Sequence, residues 1–213
     1  LAGLPADYDW LDADYYAGGG IRHDNLVGLS GNLNLSDNLT WNVAGYYHGD
    51  RGEGQWVTPY TPSPASGLPL SLRTTDYGLD RYGVTSSLQY TLGNNDIEVG
   101  VWGEDAKNNI ERNYFNLYGA YTDLWTIYDG QTPFYRAFLQ HYTYDTRMAY
   151  AQDTLHLMDD RLTVNFGAKS LRSTTTSDSL VFTTAYAQGS IEASKGFLPQ
   201  AGADYRIDNH QDV

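Results

Sequence analysis

The chain contains no cysteine. Disulfides, thiolate metal centres and cysteine nucleophiles are therefore excluded. Basic residues are scarce as well: 13 Lys and Arg stand against 26 Asp and Glu, for a formal net charge of −13. A surface of that sign opposes nonspecific nucleic-acid binding, which needs a basic footprint, and it suits solvated acidic loops. No run of about 20 apolar residues is present, the length a membrane-crossing helix needs. That leaves the membrane open to β-strands, which cross it with about 9–11 residues each. Leu, Ile, Val and Phe are thinly spread, so a thick aliphatic core between two packed sheets is not what this composition supplies. Catalytic signatures are missing too. There is no Gly-x-Ser-x-Gly, phosphate loop or zinc-binding helix motif. His23, His48, His141, His156 and His210 are scattered singly, without metal-ligand spacing. The expectation is a non-enzyme with no cofactor and no metal.

What is abundant is Tyr, at 19, and Gly, at 22, arranged with a period of two. In residues 146–170, Ala149, Ala151, Leu155 and Leu157 share one face, and Met148, Tyr150, Gln152, Thr154 and His156 the other. After a turn at Met158–Asp160, Leu162, Val164, Phe166 and Ala168 alternate with Arg161, Thr163, Asn165, Gly167 and Lys169. Side chains of a strand point to alternate faces, so this is a hairpin with one apolar column. Asp153 is the exception in that column and calls for a bulge, a local partner or a place near the membrane interface. The strands of this hairpin are read at 141–157 and 161–172, and the pattern returns at 25–35, 39–48, 79–92, 96–106 and 196–207. Acidic, glycine-rich residues 1–24 precede it, with a short strand around Asp9–Tyr16. The carboxylates of segment 7–14 read as a loop tip or a calcium loop, with spacing unlike the helix-loop-helix calcium motif.

Connections alternate in size. Those at 36–38, 93–96, 158–160 and 208–210 are short turn signals. Those at 49–78, with Pro59, Pro62, Pro64 and Pro69, at 107–140 and at 173–193 are long. In an antiparallel meander, alternate connections lie at opposite ends, so all long loops fall at one end. The fold expected is all-β: an antiparallel up-and-down meander of seven or eight strands, 1–213 forming a single partial segment of a large transmembrane β-barrel. Short periplasmic turns, long extracellular loops, lipid-facing apolar columns and a polar interior complete it. The alternatives are a passive porin-like barrel, a small eight-strand closure and a soluble β-sandwich carbohydrate-binding module. The chain opens at LAGLPADYDW and stops at NHQDV as if excerpted from something longer.

YAQDTLHLMDDRLTVNFGAKS, GFLPQAGADYRIDN, GGGIRHDNLVGLSGNLNLSDNLTWNVAGYYH and the WVTPYTPSP loop resemble barrel segments of TonB-dependent outer-membrane receptors. The resemblance implies a barrel of about 22 strands with a plugged lumen. It implies energy-coupled import of a scarce nutrient such as an iron siderophore, a vitamin or a carbohydrate. The implied setting is the outer membrane of a Gram-negative cell. The implied partners are outer-membrane lipid, a plug domain, an inner-membrane energy-coupling protein and a small-molecule ligand. The sequence departs from the family in showing no plug, no energy-coupling box and only seven or eight strands, so transport by this stretch alone is not expected. Ligand capture by outer loops puts forward Trp56, Tyr60, Tyr114, Tyr118, Trp125, Tyr128 and Tyr135, whose faces suit sugar rings or planar chelates. The same residues also read as loop packing or as an interfacial aromatic girdle. Arg81, Arg161, Lys169 and Arg206 are expected in the lumen, either toward an anionic ligand or plug carboxylates, or neutralising Glu98 and Asp204.

Overall fold

The strict alternation over each apolar column produces one continuous antiparallel sheet. The computed structural model describes residues 18–59, 61–118, 128–179, 188–208 and 211–212. Its strands are β1 (Gly18–Ser36), β2 (Leu39–Thr58), β3 (Ser71–Leu92), β4 (Asn95–Asn116), β5 (Tyr135–Leu157), β6 (Leu162–Ser179), β7 (Gly189–Asp208) and a two-residue β8 (Gln211–Asp212). Each pairs with its sequence neighbour, in the order β1 to β8. Among the described residues β1 has no partner on its outer edge, so the sheet is open. The meander is the one expected. A second layer against the apolar face is missing among the described residues, and the β-sandwich reading is set aside. The expected strand at Asp9–Tyr16 and the 7–14 carboxylates lie outside the described residues.

Register fixes two faces. Trp41, Leu88, Val99, Ala151 and Ala168 are successive cross-strand partners from β2 to β6. The row beside it runs through Val43, Ser86, Val101, Ala149 and Ser170. These apolar side chains are exposed: Leu29 by 83%, Val84 by 57% and Phe166 by 47%. Such exposure suits lipid as solvent, since a soluble protein rarely shows so broad an apolar surface. Asp153 stands opposite Ile97 and Phe166 without a bulge, and its Oδ1 is buried with no partner. Its nearness to the Met158 turn puts it at the edge of the apolar band.

The strands run farther than their apolar columns. At about 3.3 Å per residue, the 23 residues of β5 reach about 75 Å. An apolar band about 25 Å tall, crossed at a tilt of about 45°, takes only about 35 Å. The rest projects beyond the lipid, and the long connections shrink to 59–70, 117–134 and 180–188. Loops read at 49–78, 107–140 and 173–193 are therefore partly strand. Above the lipid no apolar column is required, and the hydrophobic signal fades while pairing continues. The boundary is marked on the apolar face by Tyr47 against Tyr82, ring centroids 5.3 Å apart. Beyond it come Arg51–Asp80 (2.6 Å), Arg147–Asp145 (2.7 Å) and Arg172–Glu192 (2.8 Å). Exposed pairs like these contribute about 0–1 kcal/mol each; their significance is as a marker of where hydrocarbon ends.

Burial is greatest at the loop end. Val57, Leu72, Thr58, Ser71 and Ser63 are wholly enclosed there. Ser63 Oγ donates to Leu70 O (2.6 Å) and accepts from Leu117 N (2.8 Å), while Ala65 N donates to Asn116 Oδ1 (3.0 Å). The 61–70 segment is thus tied down onto the ends of β3 and β4.

At the opposite end the β5–β6 turn is strained. Met158, Asp159 and Asp160 have φ of 55°, 56° and 62°. Asp tolerates this left-handed region through local hydrogen bonding, and Met does not. Exposed Met158 makes a simple test: Met158→Gly is expected to raise unfolding free energy by about 1 kcal/mol in denaturant titration of the micelle-held barrel. In the same assay Val99→Arg, within the apolar band, is expected to lower it by about 2–4 kcal/mol. Gln89→Arg, on the polar face beside Glu98, is expected to change it by less than about 1 kcal/mol.

Candidate functional site

The polar face carries two kinds of structure. Over the lipid-level stretch it is a hydrogen-bonded network built on Tyr and Gly. Tyr46 is the direct cross-strand partner of Gly83, and Tyr150 of Gly100. In both cases the ring lies flat over the glycine, where a β-carbon would collide with it. The absent side chain makes the seat, and the ring shields backbone that glycine leaves bare. The hydroxyls then reach carboxylates on β4. Tyr46 donates to Glu104 and Tyr150 donates to Glu98 (2.7 Å). Gln152 also donates to Glu98 (2.8 Å), and Trp102 Nε1 donates to Tyr46 Oη (3.2 Å).

Arg81 joins this network. Its guanidinium lies 3.8 Å from Glu104 and donates to His48 Nδ1 (3.1 Å). A guanidinium can only donate, so His48 Nδ1 is the acceptor and Nε2 carries the proton toward Asp24 (3.0 Å). Asp24 in turn pairs with Arg22 (2.6 Å). The neutralising partner of Arg81 is therefore Glu104, and Glu98 is satisfied by neutral donors. Lys169 is on the same face, opposite Tyr150 and Leu198, and lines a cleft of about 470 Å³ with Trp102, Met148, Gln152 and Gln200. Arg161 sits in the turn instead, stacked 5.4 Å from the Tyr205 ring and donating to its hydroxyl (3.0 Å). Tyr205 pairs with Leu162 and belongs to the apolar face. Arg206 is exposed near the end of β7.

At the loop end the polar face changes character. Trp56, Arg73, Tyr114 and Tyr135 are successive cross-strand partners on β2, β3, β4 and β5. The Arg73 guanidinium carbon stands 4.4 Å from the Trp56 ring centroid, and the Tyr114 and Tyr135 rings are 5.4 Å apart. Two residues along the strands, Arg112 lies 4.9 Å from the Phe138 ring, the pair being direct partners, and donates to Thr75 (3.2 Å). The result is a patch of aromatic faces with two guanidinium groups between them. It can stack a planar group and pair with an anionic one at the same time. Tyr114 is buried and Tyr135 is 46% exposed, so the patch opens toward β5.

Three of the expected ligand residues, Trp56, Tyr114 and Tyr135, are thus brought into one row. Tyr118 stands beyond the end of β4, 67% exposed. Tyr128 is on the other side of the sheet, its ring 4.9 Å from Phe115 and its hydroxyl donating to Glu53 (2.6 Å). Tyr60 and Trp125 lie outside the described residues. Arg73, Arg112 and Phe138 were missed because they fall in stretches read as loop. Period two without hydrophobicity, in Arg73-Thr75-Tyr77 against Leu72-Thr74-Asp76, was the available signal. Among the described residues no group of three or more His, Asp or Glu is arranged to hold a metal ion.

A family model described as TonB dependent receptor-like, beta-barrel, matches residues 2–213. No curated protein matches by sequence. The ferric citrate transporter FecA in its unliganded form superposes with a TM-score of 0.62 at 15% identity, over 96% of this chain and 28% of that one. The copper transporter OprC gives 0.61 at 14% identity, over 92% and 30%. BauA, the ferric preacinetobactin receptor from Acinetobacter baumannii, gives 0.58 at 15% identity, over 90% and 29%. The chain spans less than a third of the length of each of these structures.

The Tyr–Gly seats are testable. Gly83→Val is expected to lift Tyr46 off Glu104 and lower unfolding free energy by about 2 kcal/mol, the range of a hydrogen bond to a charged group. Adding Tyr46→Ala to Gly83→Val is expected to give little further loss, which a double-mutant cycle measures.

Proposed function

Because the chain belongs to the TonB-dependent receptor β-barrel family, we propose that it is a wall portion of an outer-membrane receptor that imports a scarce nutrient by energy-coupled transport. The whole protein would add the plug domain, the remaining wall and contact with an inner-membrane energy-coupling protein. The observation that carries the reading is the Trp56–Arg73–Tyr114–Tyr135 row on the polar face at the loop end. A ligand entering from outside meets that end first. Among iron siderophores, vitamins and carbohydrates, interleaved guanidinium and aromatic groups favour a ferric chelate with anionic oxygen donors. Ferric citrate and ferric preacinetobactin are the ligands named for two of the similar structures. Lys169 and Arg81 would face the plug lower down, with Arg81 already committed to Glu104.

The test uses the full-length receptor in its native membrane. Arg73→Ala and Trp56→Ala are each expected to weaken binding of the transported ferric chelate about 10–100-fold. Lys169→Ala is expected to leave that binding nearly unchanged. Collapse of the proton gradient is expected to stop uptake while binding persists; uptake that continues without the gradient would make the protein a passive channel and overturn the reading.

A further inference from the structure

Between Arg147 and the Met158 turn, the outward-facing residues of β5 are Ala149, Ala151, Asp153, Leu155 and Leu157. Asp153 alone among them is charged. Its direct partners are Ile97 on β4 and Phe166 on β6, and both ladders pass it without a bulge, so no backbone N–H is left over for its carboxylate. Ile97, Phe166, Ala151 and Leu155 carry no side-chain donor. Asn95, diagonal to Asp153, gives its amide to Leu92 O (3.3 Å). Arg161, in the adjoining turn, donates to the Tyr205 hydroxyl (3.0 Å), and Lys169 faces the interior. Among the described residues the Asp153 side chain has no hydrogen bond or ion pair, and its Oδ1 is buried.

Register also gives its depth. Tyr90, Ile97, Asp153 and Phe166 form one row across β3 to β6. The outward residues of β3 run Tyr82, Val84, Ser86, Leu88 and Tyr90, a mostly apolar stretch closed by an exposed tyrosine at each end. Tyrosine rings mark the head-group level of a membrane. Tyr82 marks it on the loop side and Tyr90 on the short-turn side, so Asp153 stands where hydrocarbon gives way to head groups. An unpaired ionisable group facing lipid at that depth is costly, and it calls for a counter-charge.

We propose that Asp153 is a lipid site: it receives the primary ammonium head group of a phospholipid in the leaflet on the short-turn side, whose acyl chains lie along Ile97 and Phe166.

Charge and hydrogen bonding select that occupant. β4 and β6 flank Asp153 on both sides, so no further wall strand comes next to it, and its side chain points outward. An ionised carboxylate only accepts hydrogen bonds, and a primary ammonium offers three donors together with a full positive charge. A quaternary ammonium has the charge and no N–H. An anionic head group is repelled. The apolar side chains around Asp153 keep out the water that would screen the pair. The inference rests on this face meeting lipid and not on which nutrient is carried.

The full-length receptor is placed in bilayer discs of equal parts phosphatidylethanolamine and phosphatidylcholine with identical acyl chains. Native mass spectrometry then counts the lipids that stay bound on release. The parent protein is expected to retain phosphatidylethanolamine over phosphatidylcholine by about 10-fold at one site, the range of a charge-assisted hydrogen bond. Asp153→Asn keeps the shape and removes the charge; it is expected to bring that ratio to about 1 while the total of retained lipid stays the same. Energy-coupled uptake is expected to be equal in the parent and in Asp153→Asn, so the lipid site and the import reading stand or fall separately. A parent ratio near 1, or a preference that Asp153→Asn leaves unchanged, overturns the proposal. A bound polypeptide in place of the lipid, lost in Asp153→Asn, overturns it as well.

Discussion

Inside hydrocarbon a backbone N–H or C=O has no water to turn to, so every one must be paired by a neighbouring strand. The rest of this structure depends on that constraint. It forces an unbroken ladder from β1 to β7, and an unbroken ladder has a single register. Because side chains alternate, register decides which residues meet lipid and which meet the interior; a slip of one residue would exchange the two sets. Leu88, Val99 and Ala151 can share an exposed apolar row only if Gln89, Glu98 and Gln152 share the row behind it. Of the irregularities in that ladder, the one at Asn34/Ser36 adjoins the β1–β2 turn, and those at Arg112/Asn113 and at Lys169/Leu171 fall above the apolar band or near its edge, where water can satisfy what a bulge leaves open.

The same constraint explains what could be read from the amino-acid order and what could not. Within the lipid, alternation is enforced, and the strands at 25–35, 79–92 and 161–172 stand out by periodicity alone. Above it, pairing continues for reasons of backbone geometry while composition is free to become Tyr, Asn, Asp and Arg. The upper parts of β2 to β5 therefore read as loop. Trp56, Tyr114 and Tyr135 could be picked out as aromatics, but their common row depends on β3 reaching up to Ser71, and only pairing reveals that. Tyr128 lies across a connection whose length cannot be counted in steps of two, so its face was not legible.

The heavy use of Tyr and Gly also finds its reason on the polar face. A lumen wall cannot be apolar, and it cannot leave carboxylates such as Glu98 and Glu104 without donors. A tyrosine laid over a cross-strand glycine covers bare backbone with its ring and delivers its hydroxyl to a carboxylate on β4: Tyr46 reaches Glu104 one strand beyond Gly83, and Tyr150 reaches Glu98 on the strand of Gly100 itself. Side chains held from both ends make a stiff wall, whereas long Lys or Glu side chains would leave a mobile one.

At the loop end the two faces of the wall meet in consecutive residues. Tyr114 belongs to the aromatic–arginine row on the polar face, while Phe115 on the other face carries the Tyr128 ring. Both are buried and both are fixed by pairing to β3, through Arg73 and Leu72. Neither side chain can tilt without turning the backbone it shares with the other. The Tyr128 ring on the outside and Tyr114 on the inside are thus joined through one peptide unit of a strand whose ladder to β3 runs without a break from Leu92 to Ser71. A sheet built to satisfy hydrogen bonds in lipid thus also provides, above the lipid, a short mechanical path between its outer and inner surfaces.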